Sequence, residues 1–394
     1  MMMMMIEMVR DRILMFCLVS FLLASHTVNG LLVPKPLATD IEIPNNIGFS
    51  TSNWGDEESG FLTGERMSKK QAMRGKFITP DTKVAFRTLM EGGISFCETG
   101  PDYGKALRND ELSSEQIVAQ ATAENWKASP LISTKYTQSA IPFLQSSGAV
   151  VSSLEKSLER LEASYVDLYQ ADFRSFSIGS RTKIAEGLAT CMDRGLCTNV
   201  GVCNMRAAGV EGMVERLNER GVDLATNSIE FSLVNRGAMY DGTLKACQDL
   251  GVLPLARNPW GDGLASGVYT ASNPTGGRLT QAQYDFKVLG PLKPLHDALA
   301  KVRKTARDRF WDEFYERKDA NNRNYKLREI KGDFDREVTT AQISLLYVKA
   351  KGLIPIVNVN NKRDALELIG CLDECELTEE EVKILDNAAA QCGR

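Results

Sequence analysis

From about residue 47 onward, short apolar runs alternate with longer stretches whose apolar residues recur at helical spacing. The first kind reads as buried strands and the second as amphipathic helices. Ile94-Ser95-Phe96-Cys97 is such a strand, preceded by a helix over Thr82 to Met90 that Gly92-Gly93 stops. Leu131-Ile132-Ser133-Thr134-Lys135 is the next, with Lys135 at its end. Ser153 to Leu161 carries leucines opposite a charged face and leads into the strand Tyr165 to Gln170. The second half keeps the rhythm with strands over Asn199 to Asn204, Leu224 to Phe231, Val252 to Arg257 and Leu353 to Asn358. Gly195, Gly221, Gly251 and Gly352 precede these strands, as helix-ending glycines do in repeated βα units. With the Gly-containing stretch Ile47 to Asp56 as the first, eight strands are placed. The alternation predicts an α/β fold of the (β/α)8 TIM barrel type. A doubly wound sheet would want a Gly-rich phosphate turn after its first strand, and none is present.

Four segments fall outside this rhythm. Arg10 and Arg12 precede the apolar run Ile13 to Ala24, and small and polar residues follow to Gly30. That is the layout of a signal peptide over residues 1–30, too short for a comfortable membrane span. Residues 31–46 contain prolines and no periodicity, and read as a transit or linker segment before a single barrel domain over 47–394. Glu57 to Phe77 reads as a polar insertion. Residues 301–337 form a charged insertion with clustered Phe310, Trp311, Phe314 and Tyr315. It reads as a solvated helix with i,i+4 ion pairs, or as a lid or partner surface.

The formal net charge of −4 offers no basic field for nucleic acid, so no such partner is expected. Nor is a membrane expected once the signal is removed. Of the nine cysteines, Cys97, Cys191, Cys203 and Cys247 lie within expected strands or helices, which suits buried thiols better than a disulfide framework. A signal peptide ahead of a reduced enzyme is what plastids reached through the secretory route require. The expected location is therefore the plastid, with secretion or the ER lumen as the alternative.

The chemistry gathers at strand ends. Phe96-Cys97-Glu98-Thr99-Gly100-Pro101-Asp102-Tyr103-Gly104 puts a carboxylate where a strand stops and a tyrosine on the following loop, and such positions face the active site of a βα barrel. This stretch resembles the aldo-keto reductases, whose second strand ends in Asp-Thr-Ala-x-x-Tyr-Gly. Thr134-Lys135, Gly201-Val202-Cys203-Asn204, Asn227 to Leu233 and Pro259-Trp260-Gly261-Asp262-Gly263 match further motifs of that family, in order and one per βα unit. The resemblance implies NADP as cofactor and a small-molecule carbonyl substrate. It implies Tyr103 as general acid, Lys135 stabilising its phenolate and Glu98 holding the lysine. Asn204, Ser228, Arg257, Lys362, Arg363 and Glu367 fall at cofactor-binding positions, with Lys362 and Arg363 placed to meet a 2′-phosphate or else to form a solvated helix start. No metal is expected.

The chain departs from the family pattern at several of these places. Glu98 stands for Asp, and Ser228 for Gln. Arg257 replaces the aromatic that stacks on the nicotinamide, and Glu367-Leu368 stands for a Glu-Asn pair. The largest change is Asp172, where the family carries its catalytic histidine; the only histidines are His26, in the signal, and His296, in a late loop. Ionised, Asp172 would oppose alkoxide formation; protonated by burial, it would donate a hydrogen bond to the substrate oxygen, as the Glu of the family's enone-reducing steroid 5β-reductases suggests. Two function classes follow: an NADPH-dependent oxidoreductase acting on a carbonyl or enone, or a catalytically weakened or inactive barrel used as a nucleotide-sensing or protein-binding module.

Overall fold

Eight parallel strands close on themselves in sequence order, as the alternation predicts. The structure is a computed structural model that describes residues 41–55, 80–104, 113–125, 129–137, 146–173, 181–274, 284–318, 338–371 and 376–393. The strands are β1 (Gly48–Ser50), β2 (Phe96–Glu98), β3 (Leu131–Thr137), β4 (Leu168–Asp172), β5 (Val200–Cys203), β6 (Leu224–Glu230), β7 (Leu253–Arg257) and β8 (Ile354–Asn358). Around them pack α1 (Pro80–Glu91), α2 (Ser114–Glu124), α3 (Ser147–Leu161), α4 (Arg181–Asp193), α5 (Ala207–Asn218), α6 (Thr243–Leu250), α7 (Lys293–Lys318), α8 (Thr340–Ala350), α9 (Lys362–Ile369) and α10 (Glu379–Gln391). No helix among the described residues is long and apolar enough to cross a membrane.

Side chains alternate between the two faces of each strand, and this sorts the barrel into layers. Outward residues such as Phe49, Cys97, Tyr169, Ala171 and Val357 join the core between strands and helices. Inward residues near the strand starts, among them Phe96, Leu168, Leu255 and Ile356, form an apolar floor with Ile41 and Ile43. The end of the segment expected to be linker thus plugs the barrel bottom. One pleat further along, the inward positions turn polar: Glu98, Ser133, Lys135, Gln170 and Ser228 are all buried. The change from an apolar floor to a polar upper layer places the chemistry at the C-terminal mouth.

Several element boundaries differ from the sequence reading. β3 continues past Lys135 to Thr137. β4 starts at Leu168 rather than Tyr165, because the Asp167 side chain takes the Ile132 N–H at 2.7 Å. Tyr165 is left half exposed. β1 is only Gly48–Ser50; the chain then turns so that Trp54 is fully buried and its indole donates to the Val359 carbonyl at 2.8 Å. Residues 301–310 belong to barrel helix α7, which buries Leu295, Leu299, Val302 and Ala306 at helical spacing. Arg309 of α7 makes paired hydrogen bonds of 2.9 Å to Glu381 on α10. His296 also lies in α7, not in a loop, and its Nε2 meets the Leu264 carbonyl at 2.9 Å. The expected signal peptide, the whole polar insertion and residues 319–337 lie outside the described residues, as do the side chains of Trp311, Phe314 and Tyr315.

Candidate active site

Glu98 is the hub of the polar layer. Its Oε1 accepts from Lys135 Nζ at 2.9 Å and from the Tyr103 hydroxyl at 3.0 Å. Its Oε2 accepts from Gln170 Nε2 at 3.3 Å and Ser228 Oγ at 3.5 Å. Lys135 donates a further hydrogen bond to the Tyr103 hydroxyl. Glu98 and Lys135 are almost wholly buried, at 1% and 3% exposure, so water competes little for this ion pair. Three of the four residues expected to be catalytic therefore meet in direct contact.

Local structure explains why Tyr103 reaches the pair. After β2 the chain turns so that Tyr103 N–H donates to Gly100 O at 3.1 Å and Gly104 N–H to Ser52 O at 3.0 Å. Gly104 adopts φ 59°, and a β-carbon there would sit 1.8 Å from the Trp54 carbonyl oxygen. Only glycine fits. Lys135 is braced from behind: its neighbour Thr134 points outward and donates to Glu115 at 2.6 Å, and Arg160 holds the same carboxylate.

Opposing effects set the protonation of the cluster. Burial alone would raise the Glu98 carboxyl, but the Lys135 ammonium and its hydrogen bond, with Arg257, reverse this and hold it below the ordinary carboxylate range. Burial and the Glu98 charge push the Tyr103 phenol up, offset only in part by Lys135 and Arg257. Burial would lower the Lys135 ammonium, yet Glu98 and Tyr103 leave it raised. The ground state is thus carboxylate, ammonium and neutral phenol. Burial pushes the nearby Cys203 thiol up to about 12, so it is no thiolate nucleophile at neutral pH.

A second chain of hydrogen bonds runs along the mouth. Asn204, in a left-handed conformation at φ 61°, donates through Nδ2 to Asp172 Oδ1 at 2.6 Å. Its Oδ1 accepts from Arg257 Nη2. Asp172 is 7% exposed at the inward end of β4. The other residues expected to bind cofactor have mixed fates. Ser228 is buried, with its hydroxyl 3.5 Å from Glu98 Oε2. Glu367 is buried and accepts from Thr339 at 2.6 Å, and burial raises its carboxyl. Lys362 and Arg363 are exposed at the start of α9, behind the N-cap Asn361. Among the described residues no group of three His, Cys, Asp or Glu side chains could hold a metal ion.

A model of the Aldo/keto reductase family matches residues 59–390, most of the chain. The chain belongs to the aldo/keto reductase family. Over 353 residues, covering 88% of the chain and 83% of the relative, it is 24% identical to a chloroplastic pyridoxal reductase of Arabidopsis thaliana. It is 26% identical to an L-glyceraldehyde 3-phosphate reductase of Escherichia coli K12 over 216 residues, 53% of the chain and 61% of that enzyme. Among solved structures, a glycerol dehydrogenase of Gluconobacter oxydans superposes with a TM-score of 0.61 at 16% identity, covering 91% of the chain and 95% of that structure. A Bombyx mori aldo-keto reductase in complex with NADP gives 0.56 at 19% identity, covering 91% and 93%. These likenesses support the barrel as a whole.

One residue of this aldo/keto reductase site went unassigned in the sequence. Gln170 is fully buried and bridges Glu98 to Ser133, donating to the latter at 2.9 Å. The signal was available: Gln170 stands two residues before Asp172 on β4 and so shares its inward face.

Proposed function

We propose that the chain is an NADPH-dependent oxidoreductase that reduces a carbonyl group, with Tyr103 as the proton donor. The observation that carries this reading is the Tyr103 hydroxyl held between the Lys135 ammonium and the Glu98 carboxylate at the barrel mouth. The residues present fit a nicotinamide dinucleotide at two places. Arg257 Nε is a buried donor with no hydrogen-bond partner, suited to a carbonyl or phosphate oxygen. Lys362 and Arg363 stand exposed at a helix start, suited to a phosphate. When bound, NADPH supplies the hydride. Tyr103 gives its proton to the carbonyl oxygen as negative charge develops there. Lys135 lies against the phenol oxygen and stabilises the phenolate that remains, while Glu98 and Gln170 keep the lysine and carboxylate in register.

The test is consumption of NADPH by the purified protein against a panel of aldehydes, ketones, quinones and enones. The panel includes pyridoxal and glyceraldehyde 3-phosphate, named for two of the relatives. Activity that Tyr103→Phe abolishes supports the reading; binding of NADPH with no turnover of any panel member refutes it.

A second reading, a non-catalytic binding module, is favoured by one observation. The Asn204 amide, which by resemblance would hold the nicotinamide, is engaged at both ends by Asp172 and Arg257. NADPH binding without turnover would select it. For location we propose the plastid, in keeping with the chloroplastic relative. A fluorescent reporter fused after residues 1–46 that is secreted or held in the ER lumen would overturn this.

A further inference from the structure

The Tyr103 hydroxyl has one hydrogen to give, and its neighbours decide where it points. Lys135 is a donor only, so its N–H occupies a lone pair of the phenol oxygen. Glu98 Oε1, at 3.0 Å, is an ionised acceptor and takes the phenolic hydrogen. That same oxygen also accepts from Lys135 at 2.9 Å, so the three groups close a triangle. Side-chain length makes this possible. An aspartate at this place would withdraw its oxygens by roughly one C–C bond, about 1.5 Å. The contact to the phenol would then exceed hydrogen-bonding distance. A flexible lysine could follow the shorter carboxylate. Tyr103 could not, because its loop is fixed by the Gly104–Ser52 hydrogen bond and the close approach to Trp54.

We propose that Glu98 is a positioning residue for the Tyr103 proton: its carboxylate takes the phenolic hydrogen directly and keeps the hydroxyl a neutral, inward-facing donor until a carbonyl oxygen displaces it. The inference rests on the reductase reading for its purpose, but not for its geometry. Among the described residues, the charged groups that act on Tyr103 are Glu98 on β2, Lys135 on β3 and Arg257 on β7, and Asp172 on β4 and Cys203 on β5 face the same cluster. The phenol donates its hydrogen bond to Glu98. The Glu98 charge and the burial of the ring both resist formation of the phenolate, which agrees with the upward displacement of Tyr103.

The experiment follows the ultraviolet tyrosinate band of the full chain against pH, without cofactor or substrate. The Tyr103→Phe counterpart of each variant is subtracted so that only Tyr103 is read. In the parent, no Tyr103 step is expected at the ordinary tyrosine value of about 10. In Glu98→Gln the carboxylate charge is gone while Lys135 and Arg257 remain. Tyr103 should then titrate at least about one unit lower. Glu98→Asp keeps the charge but retracts it, and should lower the titration in the same direction. It decides the matter if Glu98→Gln loses its near-ultraviolet circular dichroism and so has not folded. A parent step near the ordinary tyrosine value of about 10, or a titration unmoved in both variants, would overturn the proposal. Because no turnover is read, a failure here is distinct from a failure of the reductase reading.

Discussion

Removing the ammonium from the Glu98–Lys135 pair tests the electrostatic account most directly. Lys135→Met keeps most of the side-chain volume but strands a carboxylate that is 1% exposed. Breaking a buried pair this way costs about 3–5 kcal/mol. The carboxylate would keep Tyr103, Gln170 and Ser228 as donors, so about 3 kcal/mol is expected. The pH dependence should change sign. In the parent, the folded value of Glu98 lies below its ordinary 4.5, so its contribution is present above that value and lost as pH falls through the folded one. In Lys135→Met, burial without the ammonium puts the folded value above 4.5, so the deficit grows as pH rises through that range and shrinks in acid. Equilibrium unfolding in urea at about pH 3, about pH 5 and about pH 8 spans both windows. Glu98→Gln combined with Lys135→Met removes the stranded charge and should recover all but about 1 kcal/mol. The reasoning fails if Lys135→Met loses less than about 1 kcal/mol at the higher pH, or if the double variant recovers nothing.

Three further outcomes follow. If Lys362 and Arg363 grip a 2′-phosphate, NADPH should bind at least about tenfold tighter than NADH by fluorescence titration. Replacing both with Ala should erase the difference, whereas equal affinities in the parent would make the pair a solvated helix start. Gly104→Ala forces a β-carbon to within 1.8 Å of the Trp54 carbonyl oxygen at a positive φ. It should lower stability by about 2–4 kcal/mol in thermal or urea melts and displace Tyr103; a melt unchanged from the parent would refute the fixed-loop account. Asp172→His should raise turnover of simple aldehydes such as nitrobenzaldehyde, and Asp172→Asn should keep part of the parent's activity; a silent Asp172→His that still binds NADPH would count against catalysis.

The barrel was legible because each strand carries its period in its own residues, and so was the meeting of Glu98, Tyr103 and Lys135. Strand ends of a parallel barrel can only converge at one mouth, so three motifs in order already imply contact. What stayed hidden depends on partners remote in sequence. Ser228 looked like a cofactor residue until its hydroxyl was found on Glu98, 130 positions away. Glu367 looked like a cofactor residue, yet it is buried and accepts from Thr339 at the start of α8. The late start of β4 also came from a distant bond, since Asp167 takes a backbone hydrogen of β3 that periodicity does not report.

The departures at β4 and β7 are better understood together than one by one. A carboxylate alone at Asp172 would leave a nearly buried negative charge at the mouth, and a guanidinium alone at Arg257 would leave a positive one. Either would carry a desolvation cost. Present together, they balance. Asn204 joins them through both ends of its amide, its nitrogen toward the carboxylate and its oxygen toward the guanidinium. That assignment follows from the inventory of donors: Arg257 has only N–H groups to offer, so the amide oxygen must face it. The result is an ordered dipole along the mouth, fixed in direction by one charge at each end. A site losing its constraints piecemeal would leave charges without counterparts. Here the two changed residues are joined through Asn204 beside a connected Tyr103–Lys135–Glu98 triangle, which argues for a re-tuned mouth over a decayed one.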